Sequence, residues 1–159
     1  KKKKKKKKIK NFLIFEILYQ DFNSYKISKS ELKLVSEKKL SDKIVEDLIF
    51  AYKVAKHVKS NAIVLANNKQ TLGIGAGQMS RVDSSKIAII KYKQFFKYRD
   101  FVCASDAFFP FTDNIQRLLK LNCLGVIQPS GSINDKKIIS YANKNNASLY
   151  FVTNRVFKH

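Results

Sequence analysis

The stretch from Ser60 to Arg81 constrains the fold more than any other part of this chain. Ala62 to Ala66 is a short apolar run, which the turn-forming pair Asn67-Asn68 brings to an end. A second extended run follows from Thr71 to Ile74. Two such runs around a short turn predict a β-hairpin.

Glycine then recurs at every second position, at Gly73, Gly75 and Gly77, before a helical pattern begins near Arg81. Glycine permits close backbone approach and positive φ, and the start of a helix offers free N–H donors. We therefore take this corner as a candidate site for a polar ligand. A dinucleotide fingerprint is excluded because Gln78 replaces its last glycine. A strand end that needs glycine for packing explains the local pattern equally well.

Length and composition limit the class of protein. A chain of 159 residues is one domain or half of a larger one, and 45% hydrophobic residues suffice for a packed core. No apolar run approaches the roughly 20 residues of a membrane span, and the N-terminus lacks the form of a signal peptide. We expect a soluble cytoplasmic protein. The missing initiator Met suggests a piece of a longer product.

The formal net charge of +20 suggests nucleic-acid binding, because Lys and Arg neutralise phosphates. Without the nine lysines among the first ten residues, 23 basic residues against 12 acidic residues leave +11. Only four of the 32 basic residues are arginine, which specific base readers favour. Lys, Asn, Ile and Phe dominate the composition instead, as AT-rich codons would produce. Nucleic acid is therefore not the expected partner.

The two cysteines, Cys103 and Cys123, form no metal-binding spacing and have no nearby His. We expect neither a zinc site nor a disulfide, and interpret both as small buried hydrophobic residues.

Before the hairpin, the sequence predicts a disordered lysine block at Lys1–Lys8, a strand from Phe12 to Leu18, and a polar connector from Asp21 to Leu40. Ser41 and Asp42 then open a helix that is expected to reach about Lys59.

After the hairpin, strands and helices alternate. A helix is predicted from Val82 to Tyr92, with Val82, Ile87, Ile90 and Ala88 facing inward. The remaining predicted elements are strands at 101–105, 125–129 and 149–152, a helix at about 113–121, and a helix to Lys144 that starts with a capping box at Ser132–Asp135. This order predicts an α/β layered fold with ligands at the strand ends. On that rule Asn61, Gly75, Asp106 and Gln128 could converge.

A second cluster runs from Asp106 to Phe111, where three phenylalanines surround one proline. Such a rigid apolar wall, flanked by Asp106 and Asp113, suits a flat heterocycle whose nitrogens bond to the acids. Taken alone, a hydrophobic staple before a helix capped by Asp113 is the better explanation.

Five segments in this order carry a resemblance to a known family: Lys59-Ser60-Asn61-Ala62-Ile63-Val64, Gly73-Ile74-Gly75-Ala76-Gly77-Gln78-Met79-Ser80-Arg81-Val82, Ala104-Ser105-Asp106-Ala107-Phe108-Phe109-Pro110-Phe111, Ile127-Gln128-Pro129 and Arg155-Val156-Phe157-Lys158-His159. From about Leu40 to His159 the chain closely resembles the C-terminal part of the bifunctional AICAR transformylase/IMP cyclohydrolase family of purine biosynthesis. Residues before Leu40 match only in general position.

The resemblance implies a cytidine-deaminase-like α/β fold, a layered sheet with helices on both faces and no zinc. It divides the chain into a basic, poorly matched start at 1–40 and a C-terminal AICAR transformylase subdomain at 41–159. The zinc deaminase signature is absent here. The implied reaction is formyl transfer from 10-formyltetrahydrofolate to AICAR, giving FAICAR in IMP synthesis. The cyclohydrolase domain is expected to be missing from this chain.

The resemblance also implies roles for individual residues. Asn61 resembles the Asn that bonds the carboxamide or folate region, and Arg81 the Arg that contacts AICAR. Phe108 and Asp113 resemble the wall and the acid near the heterocycle and folate. The remaining positions are Arg155 for the 5′-phosphate, Phe157 and His159 as pocket lining, and Ser60 with Asp106 at a possible potassium site.

Two departures from the family bear on catalysis. The Lys-His pair that serves as its acid–base machinery belongs to a preceding subdomain, and Lys56-His57 lies in the wrong motif, so His57 is expected on a helix face. Thr112 stands where the family usually has Arg, which would weaken folate or partner contacts. The amino group of AICAR is a poor nucleophile that needs a base and oxyanion stabilisation. We therefore expect substrate binding with little or no turnover by the isolated chain.

Three functions are left open, in this order. The first is part of a formyltransferase whose site lies across a homodimer interface or needs a missing transformylase half. The second is a basic nucleic-acid binder, and the third is an inactive folded remnant. The sequence does not tell whether another chain supplies the missing half, which oligomer forms, or what Thr112 changes.

Overall fold

The computed structural model describes residues 8–12, 17–21, 23–96 and 99–159, which form eight strands and four α-helices. In chain order these are β1 Lys8–Phe12, β2 Ile17–Asp21, β3 Lys33–Leu34, α1 Asp42–Ala55, β4 Ile63–Asn67, β5 Gln70–Gly75, α2 Arg81–Phe95, β6 Phe101–Ser105, α3 Asp113–Leu119, β7 Cys123–Pro129, α4 Asp135–Lys144 and β8 Ser148–Val152. A 3₁₀ turn at Lys29–Glu31 precedes β3.

Six of the strands form one mixed sheet in the order β3-β8-β7-β6-β4-β5. The central strands β6, β7 and β8 are parallel, and α3 and α4 supply the crossovers that parallel pairing requires. β4 runs antiparallel to both β5 and β6, and β3 antiparallel to β8. β1 and β2 pair with each other in a separate two-stranded sheet. The predicted α/β class is confirmed.

Helices cover both faces of the six-stranded sheet, as predicted. Because strand side chains alternate, Ile63 and Leu65 of β4 enter the core shared with α2, α3 and α4. Val64 and Ala66 of the same strand enter the opposite core, which α1 covers. The central strands are therefore apolar on both sides, and polar groups concentrate where the strands end.

The predicted hairpin is confirmed as β4 and β5, with its turn one residue later than expected. Asn68 and Lys69, rather than Asn67 and Asn68, occupy the turn, with φ of 48° and 54°. The buried Asp47 of α1 accepts hydrogen bonds from the amides of both turn residues, at 2.9 and 2.8 Å. The Asp47 carboxylate therefore stabilises a turn at Asn68 and Lys69, a position that the sequence alone does not predict.

Glycine brings β5 unusually close to α2. A Cβ atom at Gly73 would meet the carbonyl oxygen of Ala88, and one at Gly75 would meet that of Ser84. The inner face of α2 consequently carries small residues, and the predicted inward position of Ile90 is wrong, since Ile90 is 63% exposed. The packing explanation for the glycines is confirmed at these two positions.

Two predicted helix limits are also wrong. α1 ends at Ala55, before Lys59, and α4 begins at Asp135 rather than at Ser132. The Ser132–Asp135 box does not form, because the Asp135 carboxylate turns back to accept from the amide of Gly131 at 2.8 Å. Ser132 instead accepts from the amide of Asn134, at 3.1 Å.

The start of the chain differs from its prediction. Most of the Lys1–Lys8 block lies outside the described residues. The predicted single strand from Phe12 to Leu18 is wrong, because Phe12 ends β1, Ile17 begins β2, and the two strands pair antiparallel. The predicted connector from Asp21 to Leu40 contributes β3 to the main sheet and buries Ile27 and Leu40.

Both cysteines are buried and unpaired, as expected, and burial raises the pKa of Cys123 to about 12. Among the described residues, no helix is long and apolar enough to cross a bilayer.

The close approach of β5 to α2 predicts a large cost for a single methyl group. We expect Gly75→Ala to lower the free energy of unfolding by about 3 kcal/mol, because the Cβ would overlap the backbone of α2. Gly77→Ala is the matched control: its Cβ would make only ordinary contact with the Lys59 side chain, at 3.9 Å, so only its φ of 65° adds strain, about 1–2 kcal/mol. Urea denaturation measures both, and equal losses would contradict this account of the packing.

Candidate functional site

A buried ion pair joins the start of α2 to the end of β6. Arg81 is the first residue of α2 and Asp106 follows β6 directly, so the fold sets them side by side. Nη2 of Arg81 lies 2.9 Å from Oδ1 of Asp106, and Nε donates to the same oxygen at 3.4 Å. The side chain of Asp106 is fully buried and that of Arg81 is 11% exposed. A carboxylate so deeply buried requires such a partner.

The guanidinium of Arg81 also fixes the amide of Asn61, at the start of β4. Nη2 of Arg81 donates to Oδ1 of Asn61 at 2.7 Å. Nδ2 of Asn61 donates to the carbonyls of Gln78 at 2.9 Å and Met79 at 3.2 Å. These bonds tie the hairpin entrance to the corner that precedes α2, and they determine which way the amide of Asn61 points.

Ser60 completes this group, which we call the Arg81 cluster: Ser60, Asn61, Arg81 and Asp106. Its hydroxyl donates to Oδ2 of Asp106 at 2.6 Å and accepts from the amide of Lys158 at 3.0 Å. The Asp106 carbonyl accepts from the amide of Val156 at 3.1 Å. The cluster therefore holds the C-terminal segment, residues 153–159, against the strand ends.

Arg155 of that segment stacks on the aromatic wall. Its guanidinium carbon lies 4.7 Å from the ring centre of Phe108, within the range of a cation–π contact. Nη1 of Arg81 lies 3.5 Å from the main-chain carbonyl of Phe108. Both arginines therefore contact Phe108, and Arg155 is the exposed one of the two.

Phe157 and His159 also lie together, with ring centres 5.6 Å apart. Gln20, in β2, bonds both: its Nε2 donates to the carbonyl of Phe157 at 2.7 Å, and its Oε1 accepts from the amide of His159 at 2.8 Å. A cleft of about 520 Å³ lies between Phe157 and Arg155 on one side and Gln20, Asn23, Ser24 and Tyr25 on the other. Sequence reasoning missed Gln20, because nothing local links it to the C-terminus.

Asp113 lies apart from these residues. It is the first residue of α3 and not its cap, which is Thr112, so the predicted capping role is wrong; its carboxylate accepts from the amide of Asn114 at 2.9 Å. It lines a groove of about 570 Å³ between α2 and α3, together with Lys86, Arg117 and Lys120. Within the part of the chain that the structure describes, no hydrogen bond joins Asp113 to the Arg81 cluster.

Of the four predicted strand-end residues, Asn61 and Asp106 meet in the Arg81 cluster. Gly75 packs on α2 instead. Gln128 is fully buried below the aromatic wall, where its Oε1 accepts from the amide of Phe109 at 3.1 Å. Gln128 therefore helps to hold the loop that carries Phe108 and Phe109.

The potassium ion that the resemblance implied at Ser60 and Asp106 stays a prediction. Both carboxylate oxygens and the hydroxyl are committed to protein partners, and Arg81 already balances the charge. Across the described ranges there is no group of three or more His, Cys, Asp or Glu that could hold a metal.

Comparison with known proteins decides the family. A family model described as the AICARFT/IMPCHase bienzyme matches residues 1–91. The bifunctional purine biosynthesis protein PurH of Chlorobaculum parvum is 44% identical over 146 residues, 91% of this chain and 28% of that protein. This chain belongs to the AICARFT/IMPCHase bienzyme family. PurH of Persephonella marina is 47% identical over 131 residues, 82% of this chain and 25% of that protein.

The chain thus spans 28% or less of the length of these PurH relatives, which are named as bifunctional enzymes of purine biosynthesis. The family match includes the segment before Leu40, which the sequence motifs did not reach.

Removing the hydroxyl of Ser60 should loosen the C-terminal segment. We expect Ser60→Ala to lower the free energy of unfolding by about 1–3 kcal/mol, because a buried carboxylate oxygen of Asp106 loses its donor. Ser140→Ala on α4 is the matched control and should cost less than about 0.5 kcal/mol. Chemical denaturation measures the free energy of unfolding of both variants. No change in that free energy for Ser60→Ala would show that the hydroxyl does not stabilise the fold.

Proposed function

We propose that this chain supplies the nucleotide-binding part of an AICAR transformylase site. In that reaction the amino group of AICAR takes a formyl group from 10-formyltetrahydrofolate and becomes FAICAR. The observation that carries the proposal is the stacking of Arg155 on Phe108, beside the Arg81 cluster. A cation for a phosphate, an aromatic face for a heterocycle and a fixed amide for a polar substituent lie at one edge of the sheet.

Arg155 is proposed to bind the 5′-phosphate. Its guanidinium is exposed, and the face of Phe108 holds it without using its N–H donors. A planar fork with free donors suits the bidentate recognition of phosphate. Phe108 then serves twice, as support for Arg155 and as a wall for the imidazole ring.

Asn61 and Arg81 are proposed to face the carboxamide of AICAR. Phe157, which lines the cleft with Arg155, and His159, whose ring centre lies 5.6 Å from that of Phe157, are proposed to line the nucleotide pocket. Asp113 is proposed to bond donors of the pterin ring, which would place the folate toward the groove between α2 and α3. Thr112 precedes it in place of the usual Arg, and its hydroxyl accepts from the side-chain amide of Gln116 at 3.1 Å.

Acid–base chemistry is proposed to come from elsewhere. His57 lies in the exposed turn after α1 and not on a helix face as predicted, because α1 ends at Ala55. Its carbonyl accepts from the Lys158 ammonium at 3.0 Å. We propose that a Lys-His pair from another subdomain removes the proton of the AICAR amino group, across the interface of a cytoplasmic homodimer. The cytidine-deaminase-like arrangement of the sheet, like the potassium ion, stays a prediction of the resemblance.

Calorimetry with AICAR at two salt concentrations tests the proposal. We expect saturable binding that Arg155→Ala weakens by roughly 10–100-fold, the cost of lost charge-assisted hydrogen bonds. Arg99→Ala is a matched control, since Arg99 also stacks on a phenylalanine, Phe96, but at the opposite end of β6. It should bind as the unchanged chain does.

The other outcomes separate the alternatives. Binding to single-stranded RNA that falls about a thousandfold between low and moderate salt would favour the nucleic-acid function. Binding of neither ligand would favour an inactive remnant. Measurable FAICAR formation by the pure chain would contradict the claim that its acid–base pair comes from elsewhere.

A further inference from the structure

We propose that Asp106 makes this site select a neutral carboxamide over a carboxylate. The inference rests on the proposed function, because it concerns the substituent of the same nucleotide. Asp106 itself is fully buried and cannot touch a ligand. It would act through Arg81, as a positioning residue that also cancels the charge of the guanidinium.

Few polar atoms of Asn61 and Arg81 remain available to a ligand. Both protons on Nδ2 of Asn61 are donated to main-chain carbonyls, so this amide has no free donor for a ligand. Its Oδ1 accepts one hydrogen bond from Arg81 and keeps a second lone pair. On Arg81, Nε and Nη2 face Asp106 and Asn61, whereas Nη1 has only the long contact of 3.5 Å to the Phe108 carbonyl. The site thus offers one acceptor and one donor.

That pair complements a primary carboxamide, which carries an N–H donor and a carbonyl acceptor on one carbon. A carboxylate has two acceptors and no donor. A carboxylate oxygen placed opposite Oδ1 of Asn61 would be repelled, because both atoms are hydrogen-bond acceptors. The orientation of both side chains is therefore a filter, and the contacts of Asp106 with Arg81 set that orientation.

The charge of the Arg81–Asp106 pair also affects which ligand binds. An unpaired guanidinium at this position would attract a carboxylate strongly, whatever the geometry. The carboxylate of Asp106 lies 2.9 Å from Nη2 of Arg81 and makes the pair neutral overall. A carboxylate ligand would then lose its hydration without gaining a net positive partner. Geometry and charge both favour the amide.

Two single variants test the inference in opposite directions. The ligands are AICAR and its analogue with a carboxylate in place of the carboxamide, and the measured quantity is the ratio of their dissociation constants by calorimetry. Asp106→Asn unmasks Arg81 and should shift that ratio about 10–100-fold toward the carboxylate. Arg81→Gln leaves Asp106 uncompensated and should shift the ratio toward AICAR. Either variant suffices if the other fails to fold.

The control is Asp100→Asn, which makes the same charge change at an exposed position before β6. It should leave the ratio within twofold of the unchanged chain, about the error of such a comparison. A purely structural role for Asp106 would weaken both ligands alike and leave the ratio constant, which would overturn the inference while the proposed function stands. Failure of the unchanged chain to bind either nucleotide would overturn the proposed function, and this inference with it.

Discussion

The ion pair between Arg81 and Asp106 is the interaction on which the rest of the site depends. Four parts of the chain that are distant in sequence end at it: the entrance of β4, the start of α2, the end of β6 and the C-terminal segment. Breaking such a buried pair by removing one partner leaves an uncompensated charge, at a cost of about 3–5 kcal/mol. The pair is therefore a structural requirement before it is anything else.

The corner that delivers Arg81 to this position is built by close packing. Gly73 and Gly75 allow the backbone of α2 to lie close to that of β5, and α2 places the small residues Ser84 and Ala88 at this contact. The hydroxyl of Ser84 donates to the carbonyl of Asn61 at 2.7 Å, so the same approach locks the start of β4. The packing of α2 on β5 thus also determines the geometry of the site.

Much of the fold could be predicted from alternation and turn residues, because the central strands are short, apolar and bounded by polar pairs. The exposed position of Ile90 could not be predicted, because the helical periodicity of α2 does not show that the helix packs on the glycines of β5. The motifs placed Asn61, Arg81, Phe108 and Arg155 in one site, but they did not reveal that Asp106 binds Arg81. That partnership spans 25 residues and depends on where β6 ends.

The most direct test of this account is amide hydrogen exchange in Asp106→Asn, compared with the unchanged chain. If the ion pair holds the C-terminal segment, the amides of Val156 and Lys158 should lose protection by about tenfold or more. The amide of Leu149, which bonds Ser36 at the far edge of the sheet, should exchange as before. Full protection at Val156 and Lys158, or an equal loss at all three amides, would contradict the claim that Asp106 organises this site.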